Sequence, residues 1–315
     1  MHEDRQVDAA GGVVGPLQPD HIAQLAAFDE FRPLLFSIAY RMTASVTDAE
    51  DLLQETYIRW QQASTAEVRS AKAFLVTVLT RLAINYLQSA RVQREQYLGQ
   101  WLPEPFATDP SSDPSGPSAA SESLSMAFLV LLERLNPVER AVFLLREVFE
   151  HEYSEIAAIL GRSEANCRQL LRRAQQHIGD ARRRFTASPE ERNQLLEQFI
   201  RATRSGDMSG LLALFSADVV LRSDGGGKAI AVPNVVEGAD NVARAIVGSF
   251  ARLVPKNLVT RIANVNGAPA IVSYLNGKPY SVVSLGAGKG QILEIYVVTN
   301  PDKLSHLPEL PAQSA

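Results

Sequence analysis

Cys167 is the chain's only cysteine, so no intrachain disulfide can form, and no metal site, a cysteine-based zinc site included, is expected. No apolar run approaches the ~20 residues that cross a bilayer. Met1 to Asp20 are small or polar and lack the basic-then-apolar plan of a secretory leader. The expectation is therefore a cytoplasmic protein without membrane contact, with a disordered tail over residues 1–24. Histidine is absent from Pro189 to Ser305, which removes the commonest general acid-base from that stretch. The chain also lacks the strong basic excess of many nucleic-acid binders, since its formal net charge is −4.

Local charge says more than the sum. Leu25 to Val68 carries seven acids (Asp29, Glu30, Asp48, Glu50, Asp51, Glu55, Glu67) against three bases (Arg32, Arg41, Arg59). Arg69 to Gln96 carries five bases (Arg69, Lys72, Arg81, Arg91, Arg94) against one acid, Glu95. Such a reversal suits a protein partner on one face and a polyanion on another; it also fits two solvated helix faces of opposite sign.

Leu25 to Gln96 reads as an all-helical domain. Phe28, Phe31, Leu35, Ile38, Ala39 and Met42 recur at helical spacing. Thr47 is the expected N-cap of a second helix, with Asp48 and Glu50 near its positive end. A third helix is predicted over Ala71–Arg94. Residues 97–123 form a linker; its Pro- and Ser-rich part from Glu104 onward has no apolar periodicity and reads as flexible. Helices resume over residues 124–186.

Within them, Tyr153–Leu160, the turn Gly161-Arg162-Ser163 and a following helix form a helix-turn-helix pattern. Ser163 can cap the second helix, and Cys167, Leu170, Leu171, Ala174 and Ile178 form its inward stripe. Cys167 there reads as a small core residue. The outer face carries Asn166, Arg168, Gln169, Arg172, Arg173 and Gln176. Arginine reads guanine, Asn or Gln reads adenine, and arginine also holds phosphate. An ordinary helical hairpin with a basic solvated face would look the same.

Ser188-Pro189 opens a domain over residues 188–305, followed by a short tail over 306–315. Its helices are predicted over Glu190–Ser205, closed by Gly206, then Met208–Phe215 and Asn241–Leu253. Strands are predicted at Val219–Leu221, Ala229–Val232, Leu258–Val265, Ala270–Tyr274, Tyr280–Leu285 and Ile292–Val298. Asn266-Gly267, Asn276-Gly277 and Gly288-Lys289-Gly290 supply hairpin turns. The fold class is thus two all-α units plus an α+β unit with a curved antiparallel sheet.

Three segments together resemble the extracytoplasmic-function (ECF) family of RNA polymerase sigma factors. Asp48–Trp60 looks like the polymerase-binding helix of region two. Ala71–Leu87 is similar to the segment that melts and reads the −10 element. The helix-turn-helix, with Leu135–Arg140 ahead of it, resembles region four, which reads the −35 element. Tyr97–Pro105, Asp224–Lys228 and Asn300–Leu304 resemble the linker motif and the two extension motifs of the sigma-J type, which carries a SnoaL-like (NTF2-like) C-terminal domain.

The resemblance implies core polymerase (β′ and β subunits) and promoter DNA as partners, no separate anti-sigma factor, no cofactor and no catalysis. It assigns Asp48, Glu50, Asp51, Gln54 and Glu55 to polymerase. It assigns Lys72, Arg81, Asn85, Arg91 and Arg94 to the −10 element, and Ser163, Asn166, Arg168, Gln169, Arg172 and Arg173 to the −35 element. It makes Tyr97, Gly99, Trp101, Leu102, Pro103, Glu104, Pro105, Asp224, Gly225, Gly226, Gly227, Lys228, Asn300, Pro301, Asp302, Lys303 and Leu304 a regulatory interdomain set. A lone Trp101 among polar and proline residues should leave water and dock on the extension.

The alternative is a DNA-binding module fused to a domain that senses a small molecule or catalyses. The SnoaL-like fold also hosts enzymes, so its site must decide. Asp224, beside a glycine triplet, is the one candidate acid in a special context, and an apolar concave sheet could take an unidentified small ligand.

Overall fold

Helix α1 spans Pro19–Thr43, α2 Val46–Gln62 and α3 Ala71–Glu95. In this computed structural model, residues 19–64, 68–95, 97–108, 124–179, 184–185, 187–253 and 255–310 are described. Helix α1 starts ahead of Leu25, so the expected N-terminal tail ends earlier; residues 1–18 lie outside the described part. Pro19 suits a first helical turn, where its missing N–H has no partner to lose. Gln24 belongs to the domain: its side-chain amide donates to the Trp60 carbonyl at 3.2 Å, and the Trp60 indole N–H donates to the Gln24 carbonyl at 2.8 Å. The cap of α2 is Ser45, not Thr47. Ser45 is extended, and its Oγ accepts the Asp48 N–H at 3.2 Å. Leu35, Ile38, Leu53, Leu75, Leu79 and Ala83 fill the core between the three helices.

The second unit comprises α4 (Met126–Leu132), α5 (Pro137–Glu147), α6 (Tyr153–Leu160) and α7 (Glu164–Ile178). Asn136 and Glu139 close a capping box around Pro137 at the first position of α5. Gly161 takes the left-handed conformation (φ 63°) that turns α6 into α7, and Ser163 caps α7. Cys167 is fully buried on the inward stripe.

The third unit has α8 (Pro189–Ser205), α9 (Met208–Leu214), β1 (Phe215–Asp224), β2 (Val236–Glu237) and α10 (Ala239–Leu253). It continues with β3 (Val259–Val265), β4 (Ala268–Leu275), β5 (Lys278–Gly288), β6 (Gln291–Val298) and α11 (Pro301–Leu304). The sheet order is β2-β1-β6-β5-β4-β3. Strands β3 to β6 form the expected meander, and Asn266-Gly267, Asn276-Gly277 and Lys289-Gly290 all take positive φ at its turns.

Three expectations fail here. Strand β1 is longer than Val219–Leu221, beginning where α9 stops at Leu214, and it pairs in parallel with β6. Ala229–Val232 is not a strand: the Ala229 N–H closes a turn on the Gly225 carbonyl, and the Ile230 carbonyl accepts from the Thr299 hydroxyl.

One face of the sheet packs on α8 to α10 through Leu196, Phe199, Leu211, Val219 and Ile295. The other face carries Val272, Tyr274, Val282, Tyr296 and Val298, and is covered by Leu102, Met126, Ala127, Leu304 and Leu307. The segment read as a flexible linker therefore divides. Residues 97–108 are a strap fixed between domains, with Leu102 to Pro105 buried; residues 109–123 lie outside the described part. The strap has no periodicity because it forms no helix, and its prolines favour extended backbone. The tail is docked as well: Leu307 is buried, and the Leu310 N–H donates to the Gly277 carbonyl at 2.9 Å. Residues 311–315 lie outside the described part.

Candidate functional site

The outer face of α7 presents Arg168, Gln169, Arg172, Arg173 and Gln176 to solvent. Its members are not equivalent. Ser163 is committed to its cap, accepting the Asn166 N–H at 3.3 Å. Asn166 is partly buried and accepts from Arg162 at 3.4 Å. The Arg168 guanidinium pairs with Glu164 at 2.7 Å and lies 4.7 Å from the Tyr153 ring centroid. Arg172 and Arg173 stand exposed one turn further on.

On α3, Lys72 and Asn85 are exposed, and the side chains of Arg91 and Arg94 lie outside the described part. Arg81 has a use that its assignment to DNA did not anticipate. Its guanidinium donates to the Ile159 carbonyl at 2.7 Å and the Ala158 carbonyl at 3.2 Å, in the last turn of α6. A helix leaves its last carbonyls without intrahelical partners and gathers partial negative charge there, so a guanidinium fits. Two further arginines join the same units. Arg140 of α5, buried, donates to the Met42 carbonyl at 2.6 Å and to Glu133 at 2.8 Å. Arg41 of α1, also buried, lies 5.5 Å from the Phe149 ring centroid.

The polar face of α2 is open. Asp51 and Gln54 are exposed, and Asp48, Glu50 and Glu55 are partly so. Glu50 pairs with Arg32 at 2.6 Å, and Glu55 with Arg59 at 2.8 Å. Both pairs are solvated, so the face keeps its acidic character without being held rigidly.

The predicted interdomain residues converge on Asp224. Its carboxylate, 0% exposed, accepts from the Tyr97 hydroxyl (2.7 Å), the Leu102 N–H (2.9 Å), the Gly226 N–H (2.9 Å) and Lys303 Nζ (2.7 Å). Lys303 also donates to the Leu102 carbonyl and lies 4.2 Å from the Trp101 ring centroid and 5.1 Å from that of Tyr97. The Asn300 amide donates to the Tyr97 hydroxyl at 2.9 Å, and Asn300 caps α11 ahead of Pro301. Gly226 has φ 59°, and a Cβ there would strike the Asn300 side chain at 2.3 Å, so only glycine closes this loop. Lys228 pairs with Asp302 at the exposed rim. Burial, and next the neighbouring Asp224, hold the Tyr97 hydroxyl above the usual phenol range. With four donors and no solvent contact, Asp224 anchors the strap, β1 and the tail to one another.

A second cluster was not foreseen. Glu104 caps α2 from outside, accepting the Val46 N–H at 2.8 Å and the Ser45 hydroxyl at 3.0 Å, while His306 Nε2 stands 3.4 Å from its other oxygen. The Tyr40 hydroxyl donates to the Glu104 carbonyl at 2.6 Å and receives the Asn266 amide, which is wholly buried. Ala107 then bridges to Val265 as an added edge pairing on β3. Asn266 is accounted for by its turn, and Tyr40 lies beside the apolar stripe of α1 without belonging to it, so neither carried a sequence signal of this role. Glu104 did, through its motif; Ser45 and His306 did not.

The comparisons with known proteins agree with this layout. Residues 27–92 match the family model Sigma-70 region 2, and residues 125–178 match Sigma-70, region 4. The chain is 33% identical over 296 residues to the ECF RNA polymerase sigma factor SigJ of Mycobacterium tuberculosis, covering 90% of this chain and 94% of that protein. It is 31% identical over 284 residues to the probable ECF RNA polymerase sigma factor SigI of the same species, covering 90% and 95%. The crystal structure of Mycobacterium tuberculosis SigJ superposes with a TM-score of 0.69 at 30% identity, covering 92% of this chain and 100% of that one.

Proposed function

The chain belongs to the ECF family of RNA polymerase sigma factors, and from that premise we propose that it joins core polymerase through α2 and recognises promoters through α3 and α7. We propose further that its C-terminal domain holds it in check in cis, in place of a separate anti-sigma factor. Membership makes it an initiation factor, not an enzyme, and its place of work the cytoplasm. Among the described residues no helix is long and apolar enough to cross a membrane.

The observation that carries the regulatory reading is the Asp224 clasp. It ties the strap after the first unit to β1 and to the tail of the third unit. Direct contacts between α3 and α6 keep the two promoter-reading units together. Elements at −10 and −35 lie about 25 base pairs apart, roughly 85 Å along B-form DNA at ~3.4 Å per step. One chain cannot span that distance while Arg81 touches α6, so initiation requires the units to part. The clasp biases this two-state arrangement toward the closed form.

The test is transcription from a reporter with three forms: full length, ended before Asn300, and ended after Phe185. Ending before Asn300 removes Lys303 and should raise basal output. Ending after Phe185 removes the domain and should abolish normal control. Equal output from all three would overturn regulation in cis and favour a ligand-binding or catalytic role for the domain.

A further inference from the structure

Resting on that reading, we propose that the −10 face of α3 has two mutually exclusive occupants, the melted promoter strand and the chain's own helix α6, which compete for Arg81. The mask over the −10 face is then the helix-turn-helix itself, and the C-terminal domain only fastens it there. Three observations lead to this. Arg81 is the α3 arginine assigned to DNA whose side chain is described, and two of its donors, one on Nε and one on Nη2, are turned onto the Ile159 and Ala158 carbonyls. Asn85, one helical turn along the same stripe, is left exposed beside that contact. No side chain of the third unit bonds Arg81 or Asn85 among the described residues.

Two of the five guanidinium donors are held by α6, which packs along this stretch of α3; a strand laid on the same stretch must displace α6, so the occupants exclude one another. Backbone carbonyls cannot be mutated, but their neighbour can. Ala158 is exposed on α6, next to the Arg81 guanidinium. Arginine and glutamate are both good helix formers at an exposed position, so either replacement should leave α6 folded. They act on Arg81 with opposite sign: Ala158→Arg repels it, and Ala158→Glu attracts it.

The experiment uses the full chain, small-angle scattering, and a fluorescent pool of random single-stranded deoxyoligonucleotides. Ala158→Arg should expand the chain and raise its affinity for the pool by about fivefold or more, the usual size of a coupling between two such equilibria. Ala158→Glu should stay compact and bind more weakly than the parent. In an Arg81→Ala background the two replacements should differ only by their direct charge on the DNA, and that difference is subtracted as in a double-mutant cycle. Thermal melts check that each variant is folded. Indistinguishable behaviour of Ala158→Arg and Ala158→Glu in both readouts overturns the proposal. So does an expanded Ala158→Arg chain with parental DNA affinity. Asp224→Asn, measured in parallel, separates the two readings. If it expands the chain while the Ala158 pair behaves alike, the clasp stands and the mask falls; if it does not while the pair diverges, the mask stands and the clasp falls.

Discussion

The junction of strap and sheet, which ties the first unit to the third, and the junction of the first two helical units hold the chain together by different means. At the first, a side-chain network gathers on one buried carboxylate: Tyr97 and Lys303 donate to Asp224, Asn300 donates to Tyr97, and the Leu102 and Gly226 N–H groups complete the set. At the second, arginines meet backbone: Arg81 takes carbonyls of α6 and Arg140 takes the carbonyl of Met42. A side-chain network is all or nothing, since removing one member strands the rest in a dry site. Contacts to backbone carbonyls at helix ends are more forgiving, because water can replace the donor once the units separate. The first junction suits a lock and the second a surface made to part.

The largest effect should come from breaking the lock. Asp224→Ala leaves the largely buried Lys303 without its carboxylate and strips an acceptor from Tyr97 and Leu102. The expected loss is about 3–5 kcal/mol of clasp stability. Denaturant titration reads it as an early transition, and limited proteolysis should then cut the strap near Trp101. A parental titration curve would mean that the clasp carries little of the interdomain free energy.

Loosening the other junction should cost less. Arg140→Met keeps the apolar packing of α5 and removes the donor to the Met42 carbonyl and to Glu133. Roughly 1–3 kcal/mol is expected. Hydrogen exchange should rise at the end of α1 and in α5 while the strap stays protected. Equal exposure of the strap would show that the two junctions are one cooperative unit, not two.

The contrast also explains what could be read in advance. Ser163, Gly161, Ser188-Pro189 and the Asn-Gly turns report local backbone needs, and local needs leave local residues. Asp224, Tyr97 and Lys303 were legible because a side-chain network demands particular residue types in motifs. An arginine on a backbone carbonyl leaves no mark on its acceptor: nothing about Ala158 or Ile159 identifies them as partners, and Arg81 reads simply as a basic residue. The same holds for β1. Its parallel pairing with β6 is a matter of topology, whereas the Val219–Leu221 stretch at its centre reads as a strand. Ser45 displaced Thr47 as cap because Ala44, at φ 56°, turns the chain two residues earlier than the acidic run suggested.

The outer face of α7, proposed to read the promoter, sharpens the comparison, since its arginines differ in the same way. Both Arg168 and Arg172 are exposed, but Arg168 is also engaged by Glu164 and Tyr153 within its own unit. Arg172→Ala should weaken binding to −35 duplex DNA by about 1–3 kcal/mol if it reads a base. Arg168→Ala should cost less, because part of its guanidinium is already engaged. Fluorescence titration of both variants on one duplex decides this; a larger loss for Arg168→Ala would mean that its pair with Glu164 orients it for DNA.

The smallest expected effect tests the lock by pH. The Tyr97 hydroxyl is raised above the ordinary phenol range first by burial and then by Asp224. Its contribution is complete below the ordinary phenol pKa of about 10. Above that, the detached chain ionises first, so clasp stability falls as pH rises toward the folded value. Tyr97→Phe removes this group and should cost about 1 kcal/mol at neutral pH through the lost hydrogen bonds. It should also flatten the alkaline fall. Tyr40 and Tyr296 are raised by burial in the same direction, so some slope must remain in the variant. The measurement is therefore the difference in slope between parent and Tyr97→Phe, from denaturant midpoints taken between pH 8 and 11. Identical slopes would place Tyr97 outside the alkaline transition and leave Lys303 and the Leu102 and Gly226 N–H groups as the working donors to Asp224.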